Sequence, residues 1–205
     1  MNLAKDPFNV IIAGVGGQGN VLASQILGEI LVNHGAIVTV GETYGASQRG
    51  GSVMSHVRIS NKEQCSPLMP EGRCDMVVAL EPIEALRILD FYGNPAVVTL
   101  TNTRPIYPMD VICGNVNYPD VSEVVSKVKA ASKRVWTIDA TDMAMDMGDP
   151  IMSNIIMLGA LCGTDILPFD RNGFESVAAE LLPASKLGRN LVAFDQGMEK
   201  VKELH

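Results

Sequence analysis

Gly14, Gly16, Gly17, Gln18 and Gly19 fall within six consecutive residues, as a G-x-G-x-x-G pattern. Glycines at this spacing let a backbone turn tightly and approach a ligand with no Cβ in the way. If a helix begins directly afterwards, its free N–H groups and the positive end of its dipole favour a phosphate or carboxylate. The run Ser47-Gln48-Arg49-Gly50-Gly51 is a second small-residue loop, carrying a hydroxyl, an amide and a guanidinium. Such a set can wrap an anion, and Arg49 is its central candidate because its planar fork grips a phosphate or carboxylate through two parallel hydrogen bonds. Each stretch also has a plainer reading that binds nothing, a close packing turn for the first and a surface loop for the second.

Three further groups invite chemistry and each has a plainer reading. Glu42 lies 23 residues past Gly19, where a dinucleotide-binding fold puts its ribose carboxylate, and this keeps a free-standing NAD(P)-binding dehydrogenase as an alternative. A solvated glutamate at a strand end is the plainer account. His56 and Arg58 share one face of an alternating strand and either meet an acidic group or form an ordinary polar face. His34 falls in the last turn of the first expected helix, where it suits the helix dipole. There is no G-x-S-x-G elbow, no H-E-x-x-H and no Walker lysine, so no catalytic residue is assigned. Cys65, Cys74, Cys113 and Cys162 form no C-x-x-C pair. Four reduced, mostly buried thiols are expected, with no zinc or iron–sulfur site.

The elements that must position these residues follow from periodicity. Phe8–Ala13 is a short apolar run ending in glycines, which predicts a buried strand. Ala23, Ile26, Leu27, Ile30 and Leu31 recur at helical spacing and Gly35 stands where a C-terminal cap belongs. With a strand at Ala36–Val40, the first 40 residues predict a βαβ unit. Further strands are expected at Val53–Ile59, Met76–Leu80, Ala96–Leu100 and Val135–Ile138, and helices at Pro82–Leu89 and Val121–Ala131. The last third is helical at Ile151–Cys162, Phe174–Leu182 and Leu187–Leu204. The fold class is therefore α/β: a Rossmann-like, mostly parallel sheet flanked by helices and closed by C-terminal helices, in one domain over residues 1–205.

Composition sets outer limits. A chain of 205 residues that is 47% hydrophobic can build a core of ordinary size, and the net charge of −7 argues against nucleic acid or an anionic membrane as partner. The N-terminal stretch has no long apolar region, so the cytoplasm is the expected compartment.

The motifs GVGGQG, GASQRGGSVMSHVRIS, EPIEALR, RPIYP, NIIMLGAL and NLVAFDQG, taken together and in this order, resemble the gamma-type subunit of the 2-oxoacid:ferredoxin oxidoreductases, in particular the indolepyruvate branch. The resemblance covers nearly the whole chain. It implies a subunit, inactive alone, of an enzyme that oxidatively decarboxylates a 2-oxo acid to an acyl-CoA. Thiamine diphosphate and iron–sulfur clusters would sit on a larger partner subunit, with ferredoxin as acceptor and none of these groups held by this chain. Coenzyme A would be the anionic cofactor contacted here, by Gly14, Gly16, Gly17, Gln18, Gly19, Ser47, Gln48, Arg49, Gly50 and Gly51. Asn154 and Asn190 match further family positions without an assigned role. Alone, the chain is expected to expose an apolar, Met-containing patch on Val53–Ile59 and the C-terminal helices and to self-associate. A non-catalytic assembly module is the remaining alternative.

Overall fold

The computed structural model describes residues 1–44 and 51–204. The first half mixes strands and helices, with three strands in succession: β1 (Phe8–Val15), α1 (Asn20–Asn33), β2 (Ile37–Tyr44), β3 (Ser52–Ser60), β4 (Met76–Ala79), α2 (Pro82–Tyr92) and β5 (Val98–Asn102). It continues through α3 (Met109–Ile112), α4 (Val121–Ala131), β6 (Arg134–Ile138) and α5 (Ala140–Asp146). A short 3-10 turn at Pro150–Met152 leads into α6 (Ser153–Gly163), α7 (Arg171–Leu181) and α8 (Ala184–Lys202).

Among the described residues the strands form one sheet in the order β2-β3-β1-β4-β5-β6. The pairs β1–β4, β4–β5 and β5–β6 are parallel, while β3 runs antiparallel to both β1 and β2. The first 40 residues are thus not a simple βαβ unit, because β3 inserts between β1 and β2. The insertion also overturns the exposed patch expected on Val53–Ile59. β3 is hydrogen-bonded along both edges, and Val57 and Ile59 are fully buried beneath helices.

Both faces of the sheet are covered, so β1 and β4 read as unbroken apolar runs rather than alternating ones. Val10, Ile12, Met76 and Val78 face the larger cluster built with α1, α6, α7 and α8. Ile11, Ala13, Val77 and Ala79 face a smaller one with α2 and Val128 of α4. α1 ends as its sequence suggests: Gly35, at φ 84°, donates to Val32 and Ala36 donates to Leu31, a Schellman cap. α6 is buried on all sides. It crosses α8 so closely that a Cβ on Gly159 would overlap the Phe194 carbonyl and one on Gly197 the Ile156 carbonyl. The C-terminal helices turn most of their apolar side chains inward, and among the described residues the exposed large apolar ones there, Ile151, Leu181, Val192 and Leu204, include no methionine.

Candidate functional site

The glycine turn leaves β1 and enters α1 at the sheet's carboxyl edge, beside the point where the chain order reverses between β1 and β4. In open α/β sheets that is where a crevice forms. Two clefts flank the turn. One, of about 330 Å³, is lined by Gly16, Gly17, Gly19, Asn20, Val53 and Ile151 among others. The other, of about 320 Å³, is lined by Gly16, Gly17, Gln18, Ile106, Thr141 and Ser153, with Ile151 shared between them.

The candidate residues of the turn do not all do the same work. Gly17 has φ 103°, and a Cβ added there would meet nothing within 4 Å, so its outer face is open. A Cβ on Gly14 would press on the Gln18 and Asn20 side chains, and one on Gly19, at φ 81°, would overlap the Asn154 amide. Gly14 and Gly19 are thus required by close packing. Gln18, considered as a donor to a ligand, is buried and engaged inside the protein. Its Oε1 accepts from Val15 N–H at 2.7 Å and its Nε2 donates to the Leu80 carbonyl at 2.7 Å. Gly16 donates its N–H to the Gly51 carbonyl at 2.8 Å, which ties the turn to the residue just before β3. Ser47, Gln48, Arg49 and Gly50 lie outside the described residues.

Two helix N-termini meet at this turn. The first helical bond of α1 runs from Ala23 N–H to the Gly19 carbonyl, at 3.0 Å, so the N–H groups of its first turn have no intrahelical partner. Asn154, in the first turn of α6, donates its Nδ2 to the same Gly19 carbonyl at 3.2 Å. Asn154 thereby acquires a role: it docks the start of α6 on the start of α1, so both positive dipole ends face the clefts. Asn190 sits on α8, where its Nδ2 donates to the Lys186 carbonyl at 2.8 Å, and it takes no part in the clefts.

The carboxyl edge is braced by polar side chains that sequence reasoning did not single out. Asn102, at the end of β5, donates to the Leu80 carbonyl at 3.0 Å and to Thr141 Oγ1 at 2.8 Å. The Leu80 carbonyl thus receives both Gln18 and Asn102, joining the ends of β1, β4 and β5 to the start of α5. Nearby, Glu81 caps α2 by accepting from Glu84 N–H at 3.0 Å, while its Oε1 accepts from Tyr118 Oη and from Ile106 N–H at 3.4 Å. Burial, reinforced by the Glu81 hydrogen bond, pushes the Tyr118 hydroxyl well above the ordinary phenol range. Glu84 accepts from Ser52 Oγ at 2.5 Å at the first residue of β3, and burial raises its carboxyl. A carboxylate just before a proline at a helix start after a strand, as in EPIE, was the available signal.

The other candidates separate from the clefts. Glu42 is on β2, with β3 lying between it and β1, so it does not stand beside the glycine turn as a ribose-binding carboxylate would. Its Oε1 accepts from Ser24 Oγ of α1 at 3.5 Å. His56 and Arg58 do share a face of β3, but that face is covered rather than solvated. His56 is fully buried, edge-on to Tyr92, and burial, followed by the Arg58 charge, lowers its pKa. Arg58 is held by Asn9 Oδ1 and by the carbonyls of Ser66 and Leu68 rather than by an acid. His34 does bond the end of α1, through Nδ1 and the Ile30 carbonyl at 2.8 Å. Of the thiols, Cys74 and Cys162 are buried, which raises them to about 12 and about 11 and leaves them poor nucleophiles. Cys113 is exposed and Cys65 half-buried, so burial is less general than expected.

Known proteins share both sequence and fold with this chain. Residues 9–200 match the family described as pyruvate ferredoxin/flavodoxin oxidoreductase. Indolepyruvate oxidoreductase subunit IorB of Archaeoglobus fulgidus is 36% identical over 190 residues, 93% of each chain. Among solved structures, pyruvate oxidoreductase subunit PORC of Thermotoga maritima superposes with a TM-score of 0.69 at 23% identity, covering 95% of this chain and 97% of that one. The 2-oxoglutarate:ferredoxin oxidoreductase of Magnetococcus marinus, solved with 2-oxoglutarate, coenzyme A and succinyl-CoA bound, gives a TM-score of 0.73 at 20% identity. That match covers 98% of this chain but 32% of the other. The chain therefore belongs to the pyruvate ferredoxin/flavodoxin oxidoreductase family, as a subunit of a 2-oxoacid:ferredoxin oxidoreductase.

Proposed function

We propose that this chain is the small subunit of an indolepyruvate-type oxidoreductase and that its glycine turn helps hold coenzyme A while a larger subunit carries out the redox chemistry. The observation that carries the reading is the convergence of the α1 and α6 N-termini on a turn whose outer face is open at Gly17. Unpaired N–H groups and two positive dipole ends favour the phosphates of such a ligand. Gly16, Gly17 and the first turn of α1 would face it, with Arg49 supplying a two-pronged contact from the adjoining loop. Gly14, Gln18 and Gly19 would shape the turn from behind. The substrate follows the IorB relative, and the cofactor agrees with the coenzyme A present in the Magnetococcus enzyme.

In this reading thiamine diphosphate on the larger subunit would supply the decarboxylation chemistry, and clusters there would carry the electrons toward ferredoxin. This chain binds and orients. The four cysteines do not offer a cluster motif, and the cytoplasm is the compartment that suits reduced thiols. The isolated chain should oxidise no 2-oxo acid.

The test uses the reconstituted complex. Arg49→Ala should raise the Michaelis constant for coenzyme A roughly ten- to a hundredfold, the equivalent of the about 1.5–3 kcal/mol that a charge-assisted hydrogen bond is worth. Arg49→Lys should recover part of it. Unchanged constants for coenzyme A and for the 2-oxo acid in Arg49→Ala would remove the loop from the site.

A further inference from the structure

We infer that the connector from Thr103 to Tyr118, between β5 and α4, is the face on which this chain docks to the larger oxidoreductase subunit. The inference rests on the chain acting beside such a subunit, and it adds the surface and the chemistry of the contact.

Ile106, Tyr107, Met109, Ile112 and Val116 all project from this connector with more than a third of their surface exposed, and Met109 and Ile112 reach 70% and 66%. α3, in its middle, buries none of its residues. An apolar helix that contributes nothing to its own core gains nothing from folding in that place unless something else covers it. The outward arrangement is fixed from within. Glu81 receives Ile106 N–H and Tyr118 Oη, and the Tyr107 and Tyr118 rings meet edge-on at 5.2 Å. At the connector's start Thr103 bonds Asp139, and Arg104 pairs with Asp142 at 2.5 Å. A face held in place before binding loses less entropy on association.

Size and charge identify what fits. Five such side chains present on the order of 500 Å² of mostly apolar surface, the size of the largest patch a free-standing domain commonly exposes, which is often functional, and a large part of the roughly 800 Å² that each partner buries in a stable complex. A second copy of this chain is a poor occupant. Each copy carries a net charge of −7, and Asp110 is the one charged residue from Pro105 to Tyr118. A two-fold contact centred on this connector would bring Asp110 towards its own mate. The complementary surface is apolar with a cation opposite Asp110. Position agrees, since Ile106 also lines the cleft beside Gly16 and Gly17. A chain seated here abuts the glycine turn, where a subunit holding the reaction centre has to lie.

The experiment measures the affinity between this full chain and the larger subunit of the same oxidoreductase by calorimetry, with light scattering on the small chain alone at matched concentration. Met109→Lys and Ile112→Glu should each weaken binding at least tenfold and leave the thermal midpoint of the isolated chain unchanged, since α3 is not part of its core. Val116→Ser is the milder variant should either disturb the fold, with several-fold weakening expected. Val192→Lys, at an exposed position of α8, should bind normally. Unchanged affinity in the connector variants, or equal loss in Val192→Lys, overturns the inference. So does a dimer of the isolated chain that the same substitutions dissolve, because the occupant is then a second copy. Failure of the unsubstituted chain to bind the larger subunit refutes the subunit reading itself, and is distinguished by appearing before any substitution is made.

Discussion

α6 and the connector from Ile106 to Val116 are both rich in large apolar side chains, yet α6 buries all 11 of its residues while α3 buries none. The difference lies in the partner each has within the chain. α6 carries Gly159 and Gly163, and α8 offers Gly197, so the two backbones approach until carbonyl oxygens occupy the space of absent side chains. The connector has no such mate. Its inner side is satisfied by polar bonds to Glu81, and its apolar side chains are turned out. Hydrophobicity alone says that a segment wants cover; small residues at matched spacing say that the cover comes from the same chain.

Gly159→Ala would break the comparison on its buried side. The new methyl has to displace the Phe194 carbonyl, and a loss of about 3 kcal/mol or more is expected in urea unfolding, at the upper end of overpacking effects. A change under about 1 kcal/mol would mean that α6 and α8 can separate at little cost. On the exposed side, Tyr118→Phe removes a hydrogen bond to the Glu81 carboxyl group. A loss of about 1.5–3 kcal/mol is expected, with faster amide exchange confined to the connector. If exchange accelerates throughout the sheet instead, the connector belongs to the core's cooperative unit and the contrast with α6 fails.

The smallest effect expected concerns the buried polar side chain of β3. Because burial lowers the His56 pKa in the folded state, its contribution to stability is fully present above about 6.5 and is lost as pH falls through the depressed value. Thermal midpoints measured downward from neutral pH should fall less in His56→Gln than in the native chain. Equal slopes would show that His56 keeps contact with water and that this face of the sheet is less closed than α6.

Much of the framework was legible in the sequence. Buried strands announced themselves as apolar runs, and the cap of α1 by Gly35. Val121–Ala131 has the bounds that its periodicity gives. Strand direction was not legible, since nothing in Ser52–Ser60 states whether its neighbours run with it or against it. α3 and α5 escaped because each is too short to show a period, and α5 turns only Ala140 and Ala144 inward. At the candidate site, the glycine spacing pointed to a strand-to-helix turn, and the chain does turn there from β1 into α1. The amide of Gln18 looks the same in sequence whether it reaches a ligand or the Leu80 carbonyl, and only the packing of β4 against β1 decides. Asn102 had no signal beyond a polar residue at a strand end, and Glu81 only the acid-before-proline start of a helix in EPIE.

The reversed direction of β3 has a consequence for how such a subunit can diversify. In a purely parallel arrangement β2 would leave the carboxyl edge through a helix whose packing fixes the loop's length. Here β2 and β3 pair antiparallel, with Tyr44 opposite Val53, and neighbouring antiparallel strand ends need no crossover helix to join them. Lengthening such a loop is inexpensive, with each doubling adding about 0.6 kcal/mol of closure entropy. Evolution can thus retune what the edge recognises, residue by residue, while every strand and helix keeps its place.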